Sequence, residues 1–175
     1  FTHYGVSGPA VLNISGYLAD KISLQDWTLK INFFPELELD MLVKLLKDRF
    51  KKNITKTLGF SFIGLLPKKI APVILEGGRG INLNQKVSEI SNEKIHIIAE
   101  TFNSYKIIPK KLKGFSESFV TNGGVDIEEI NPWTMESVKI PNLYIIGETL
   151  DVDGPSGGYN LQFAFSTGYI AGINQ

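Results

Sequence analysis

The sequence predicts a mixed α/β chain, helix-rich in its first two thirds and closed by a strand, a glycine-rich loop and a last helix. Three observations carry that reading. Apolar residues recur at helical spacing in Leu39, Leu42, Val43, Leu46 and Phe50, the signature of an amphipathic helix. Leu29, Ile31 and Phe33 alternate with Thr28, Lys30 and Asn32, the period of a half-buried strand. Leu143–Ile146 is a compact apolar run directly before Gly147, the pattern of a strand buried on both faces of a parallel sheet.

Each element follows from local chemistry. Ser7-Gly8-Pro9 caps a short helix to about Ala19, with proline in the first turn where its missing N–H is harmless. Pro35 ends the first strand, and the helix from Glu38 to Phe50 leaves Lys44, Lys47, Asp48 and Arg49 for water. Helical stretches follow around Lys56–Phe62 and Lys68–Glu76, the second stopped by Gly77-Gly78. Ser91 or Asn92 caps a helix in which Ile95, Ile98, Ala99 and Phe102 share one face, with Glu93 near its positive end. His96 sits off that stripe and is assigned no role. Beyond residue 103, Tyr105–Ile108 and Phe115–Val120 read as strands separated by a lysine-rich turn, and Tyr159 to Ile173 as the last helix.

A chain of 175 residues buries a real core and suits one domain or two small, unequal pieces. Eighteen basic residues balance eighteen acidic ones, which argues against a nucleic-acid partner. The basic run Lys106 to Lys113 reads as a solvated loop. No cysteine is present, so disulfides, zinc–thiolate sites and thiol nucleophiles are excluded. No apolar run approaches the roughly 20 residues of a membrane helix, and a cytoplasmic setting is expected. The chain opens on Phe1 and on what reads as a strand end, as an excised piece of a longer protein would.

The chemistry concentrates near the carboxyl end. Gly147-Glu148, Asp151, Asp153-Gly154 and Gly157-Gly158 separate the predicted strand from the last helix. Such a loop lets backbone approach a ligand and aims unpaired amides and the positive helix end at an electron-rich group. Ala164, Gly168 and Gly172 recur every four residues and give that helix a smooth face, with Leu161, Phe165 and Tyr169 beside it. Tight helix packing alone also explains that face. The three carboxylates do not follow the D-x-[DN]-x-[DN]-G calcium pattern, so no metal site is expected. A carboxylate at a strand's carboxyl end accepts instead from sugar-like hydroxyls.

Four segments carry a family resemblance: Phe1-Thr2-His3-Tyr4-Gly5-Val6-Ser7-Gly8-Pro9-Ala10; Val120-Thr121-Asn122-Gly123-Gly124-Val125; Ile130-Asn131-Pro132 with Thr134-Met135-Glu136-Ser137; and Gly147-Glu148 through Gln162. Together they resemble the BaiN/YhiN-like bacterial flavoproteins, also labelled NAD(P)/FAD-dependent oxidoreductases or aminoacetone-oxidase-like FAD-binding enzymes. Trp133 departs from the pattern, which usually has a polar or basic residue there.

The resemblance implies an α/β (α+β) fragment: an inserted domain over 1–122, followed over 123–175 by the last strand, loop and helix of a Rossmann-type FAD-binding domain. Within the insertion, small-barrel strands fall at about 1–35 and 104–122 and a helical subdomain at about 36–103. FAD is the implied cofactor, and NAD(P)H a possible electron donor to a small-molecule substrate. Gly147, Glu148 and Asp151 would lie at the cofactor, with Glu148 accepting from ribityl hydroxyls. Gly157, Gly158, Tyr159, Asn160, Leu161 and Gln162 would bring amides to the flavin's N1 and O2 edge. Gly123 and Gly124 would pass close to the ring. Thr2, His3 and Tyr4 would face it, making His3 the one candidate proton donor, although a structural hydrogen bond explains His3 as well.

The pyrophosphate-binding G-x-G-x-x-G spacing is absent from this sequence. The missing amino-terminal part of the FAD-binding domain is therefore an expected partner. The fragment alone is expected to bind FAD weakly and to be inactive. The competing reading is a non-catalytic interaction domain with a helical binding surface.

Overall fold

A computed structural model describes residues 1–3, 5–19 and 24–175, the side chain of Ala19 excepted. It is mixed helix and small sheet, as the sequence predicts, and divides into two compact units: 25–109, and 1–24 with 110–175.

The unit over 25–109 is built on helices. Strands β1 (Leu29–Ile31) and β2 (Tyr105–Ile107) pair antiparallel, with Leu29 opposite Ile107 and Ile31 opposite Tyr105. Helix α2 (Leu39–Lys52) buries Leu42, Val43, Leu46 and Phe50, and α4 (Asn92–Asn103) buries Ile95, Ile98, Ala99, Thr101 and Phe102. These are the stripes that the spacing predicts, and the two helices pack on each other. Ser91 caps α4 by accepting from the Lys94 amide at 3.2 Å. The short helix α3 (Leu58–Ser61) is capped the same way by Thr57, which accepts from the Phe60 amide. Phe102 is fully buried and meets the Phe62, Phe34 and Phe33 rings edge-on at 5.5, 6.0 and 6.3 Å, the geometry in which ring edges face ring faces.

Gly77-Gly78 does not stop the helical stretch that precedes it. A π-type turn, Pro72–Gly77, continues through Arg79. Gly80, with φ of 64°, ends it: Gly80 N–H donates to Glu76 and Ile81 N–H to Leu75, a left-handed carboxyl-terminal cap. Gly78 lies under the Tyr105 ring, where a Cβ would come within 3.0 Å of an aromatic carbon.

The second unit contains α1 (Pro9–Ala19) and α5 (Tyr159–Ile173), joined by irregular chain. Its smaller core gathers Ile130, Met135, Leu150 and Ala171, with Val125, Tyr144, Ile145, Val152, Phe163 and Ile170 against them. Two predicted strands are corrected here. Phe115–Val120 is no strand: Phe115–Glu117 form a 3-10 turn braced by the Lys113–Glu117 ion pair, and Phe115 and Phe119 are more than 80% exposed. Leu143–Ile146 does not sit inside a parallel sheet. It runs antiparallel to 135–137, through the Glu136–Tyr144 bridge, Ser137 N–H to Leu143 and Ile145 N–H to Met135, and Leu143 and Ile146 are exposed. Among the described residues no helix is long and apolar enough to cross a membrane.

Candidate functional site

The predicted glycine loop and helix lie in the second unit. Gly147, with φ of 61°, opens a tight turn over Gly147–Thr149. Its amide donates 3.0 Å to the buried Thr167 hydroxyl, which in turn donates back to the α5 carbonyls. A Cβ at Gly147 would stand 3.3 Å from the Ala164 methyl. Gly168 faces the Ile146 side chain at 3.6 Å on the same basis. Ala164 and Gly168 thus let the turn seat against α5, while Gly172 faces open space.

A second segment is laid along that turn. Val125 N–H donates to Thr149 at 2.8 Å and Asp151 N–H to Val125 at 2.9 Å, a parallel bridge of Val125 with Leu150. Gly124 meets it so closely that a Cβ would lie 2.7–2.8 Å from the backbone of Leu150, Thr149 and Asp151. Four residues before Val125, both the amide and the hydroxyl of Thr121 donate to one carboxylate oxygen of Glu148, each at 2.9 Å. These two donors, the amide first, hold the Glu148 carboxyl below the ordinary glutamate range. Between the two anchors, Asn122, Gly123 and Gly124 make no hydrogen bond among the described residues.

The loop into α5 is closed by Asn160. Its side chain accepts from Gly154 N–H at 2.7 Å and donates to the Gly154 carbonyl at 2.9 Å. Ser156 N–H donates to Asn13 of α1 at 2.7 Å. Gly157 and Gly158 take φ of 124° and 93°, a conformation that glycine adopts without strain. No side chain caps α5, and the amides of Gly158, Tyr159, Asn160 and Leu161 have no partner among the described residues. The end carries the partial positive charge of the helix dipole and unpaired donors.

The remaining predicted residues are placed as follows. Tyr159 and Leu161 are exposed, and the Gln162 side chain donates to Ser166 at 3.1 Å. Asp151 is exposed, its amide taken by Val125. His3 is exposed in a turn closed by Thr2 and Gly5, with no hydrogen bond or ion pair among the described residues. Tyr4 lies outside the described residues. Along α5, Phe165, Tyr169 and Ile170 with Gln162 and Ser166 line a shallow open depression. Sequence reasoning missed Thr121, Thr167 and Asn13 as the side chains that hold these loops. Only Thr121 carried a signal, two residues before Gly123 in the motif.

A family described as the HI0933-like protein barrel and H2TH domain matches residues 1–120. The chain is 34% identical over 174 residues, 99% of its length, to the ribosomal RNA dihydrouridine synthase of Haemophilus influenzae, covering 41% of that protein. It is 34% identical over 172 residues, 98% of its length, to the 3-dehydro-bile acid delta(4,6)-reductase of Clostridium scindens, covering 42%. Against the Escherichia coli ribosomal RNA dihydrouridine synthase the identity is 32% over 97% of this chain and 40% of the relative. All three relatives carry enzyme names, and this chain spans about two fifths of their length.

Proposed function

Because the chain belongs to the HI0933-like family, we propose that it is the barrel, helical and flavin-facing portion of an FAD-dependent oxidoreductase, whose pyrophosphate-binding portion lies elsewhere in the protein. The observation that carries the reading is the uncapped start of α5 behind Gly157-Gly158. It offers free amides, open space at Gly158 and a positive helix end to an electron-rich group. The free amides of 122–124 flank the same Gly147–Asp151 turn. This donor set suits the N1 and O2 edge of a flavin ring, where reduction places negative charge.

When bound, FAD supplies hydride transfer, with NAD(P)H as the proposed source of electrons. The chain's own residues do the positioning. The α5 amides at Gly158–Leu161 donate to the flavin edge, Asn160 and Asn13 hold the loop that presents them, Gly123 leaves room for the ring, and Gly124 lets the 122–124 span lie against the 149–151 backbone. Asn160 therefore contributes through its backbone amide, its side chain being engaged with Gly154, whereas the amide and the side chain of Gln162 are both taken within α5, by Gly158 and Ser166. His3 stands as the candidate proton donor. The domain limits proposed are 1–122 for the insertion and 123–175 for the cofactor domain, with the antiparallel 143–146 segment taking its place in a larger sheet.

The relatives are named for making dihydrouridine in ribosomal RNA and for the delta(4,6)-reduction of a 3-dehydro-bile acid. The acceptor proposed here is accordingly a small unsaturated ring compound, reduced by a hydride and a proton. A second reading, an RNA uridine, is favoured by a specific observation: residues 25–109 hold thirteen Lys and Arg against nine Asp and Glu, while the rest holds five against nine. The zero net charge hides a basic helical unit.

Purified full-length protein incubated with FAD should show bound-flavin absorbance that bleaches with NADH or NADPH and recovers with the acceptor. Colourless protein after reconstitution would overturn the flavoenzyme reading and favour an interaction domain. Recovery with a conjugated steroid dienone or with unmodified ribosomal RNA separates the two acceptors.

A further inference from the structure

We propose that Glu148 is a positioning residue for the flavin: its carboxylate clamps Thr121 and so fixes the Asn122–Gly124 loop against the cofactor, in addition to any hydroxyl it accepts from. The proposal rests on the flavin reading above and deepens it. The geometry is specific. One oxygen of Glu148 receives both Thr121 donors at 2.9 Å, leaving the other oxygen without a partner among the described residues.

The clamp is one of two pins on a short span. At the far end Val125 is bridged to Leu150, and Gly124 lies against the 149–151 backbone with no room for a Cβ. Asn122 and Gly123 between the pins are exposed and unbonded, and Gly123, with φ of 99° and open space around it, adds no side chain to restrain them. Without Glu148 the span is held at one end only, and its three free amides lose their fixed direction. Glu148 is itself held in place, because the adjacent Gly147 is seated on Thr167 and Ala164 of α5. A ligand contact at α5 and the direction of the 122–124 amides are thus linked through one turn.

The test uses the full-length protein and its Thr121→Val, Thr121→Ser, Glu148→Ala and Thr121→Val/Glu148→Ala variants, with FAD affinity read by flavin fluorescence. Thr121→Val should weaken FAD binding by about threefold to tenfold, the loss of one hydrogen bond to a charged acceptor. Thr121→Ser should restore it. The double variant should bind no more weakly than Glu148→Ala alone, since both remove one interaction. Wild-type affinity in Thr121→Val, or a double variant whose loss is the product of the single losses, would overturn the clamp.

A readout on the apoprotein separates the two layers. Glu148→Ala should speed amide hydrogen exchange at 121–124 while leaving the global melting temperature within a few degrees of wild type. Unchanged exchange would overturn the clamp even if every variant binds FAD. Faster exchange in a protein that takes up no FAD would overturn the cofactor role through failure of the flavin reading.

Discussion

Gly124 is the residue whose identity the structure dictates most strictly. A methyl group there would stand 2.7–2.8 Å from three backbone atoms of 149–151, which cannot swing aside as a side chain could. Gly124→Ala should cost about 1–3 kcal/mol through overpacking, measured by urea unfolding of the full-length protein. Gly168→Ala is the contrast: its Cβ would make an ordinary 3.6 Å contact with Ile146, and alanine should gain about 0.5–1 kcal/mol in a helix interior. Glu148 sets a pH dependence at the same scale. Thr121 donates to the charged carboxylate and lowers its pKa. Its contribution is therefore complete above the ordinary glutamate range and is lost as pH falls through the lowered folded value. The advantage of wild type over Glu148→Gln in urea midpoint should shrink to nothing across that acidic window. The sequence singles out Gly124 and Glu148 as cofactor-facing residues, but not the packing of Gly124 on the 149–151 backbone. Their link to Thr121 was not legible either, because a hydrogen bond across 27 residues leaves no spacing signature.

Elements were legible in proportion to their length and periodicity. Helices α2, α4 and α5 follow directly from apolar spacing, caps and glycine punctuation, and α5 begins at Tyr159 and ends at Ile173 as predicted. The buried stripe of α4 is an energetic claim as well. Phe102→Ala should cost about 3–5 kcal/mol, seen as loss of the cooperative unfolding of the 25–109 unit, because four phenylalanine rings share that contact. Short apolar runs were misread for a physical reason: four to six apolar residues do not encode their pairing partner. Leu143–Ile146 pairs with 135–137, with left-handed backbone at Met135 and Asn142; Pro141-Asn142 is a turn its residue types favour, whereas nothing about a methionine announces the conformation of Met135. Phe115–Val120 pairs with no strand among the described residues, and residues 115–119 of it are exposed. Gly77-Gly78 looked like a stop, yet Gly78 serves the Tyr105 ring and Gly80 supplies the cap.

The whole molecule separates charge between its two units, a fact hidden by summing over the chain. If RNA is the acceptor, the basic unit is where phosphates dock. Lys44, Lys47 and Lys51 share one face of α2, beside His96 of α4 and interleaved with Asp40 and Asp48. Reversing these three lysines to glutamate in the full-length protein should weaken binding of a ribosomal RNA fragment and flatten its salt dependence, with FAD affinity unchanged. Unaltered RNA affinity would leave the small-molecule acceptor as the surviving reading. In the second unit Phe165, Tyr169, Leu161 and Trp133 are exposed.

The central claim is that this chain grips one end of a flavin and leaves the other end to the rest of the protein. Its most direct test is an equilibrium FAD titration of the full-length protein alongside residues 1–175. One equivalent bound tightly by the full-length protein, with weak or no binding by 1–175, is the predicted result; tight stoichiometric binding by 1–175, or none by the full-length protein, would contradict it.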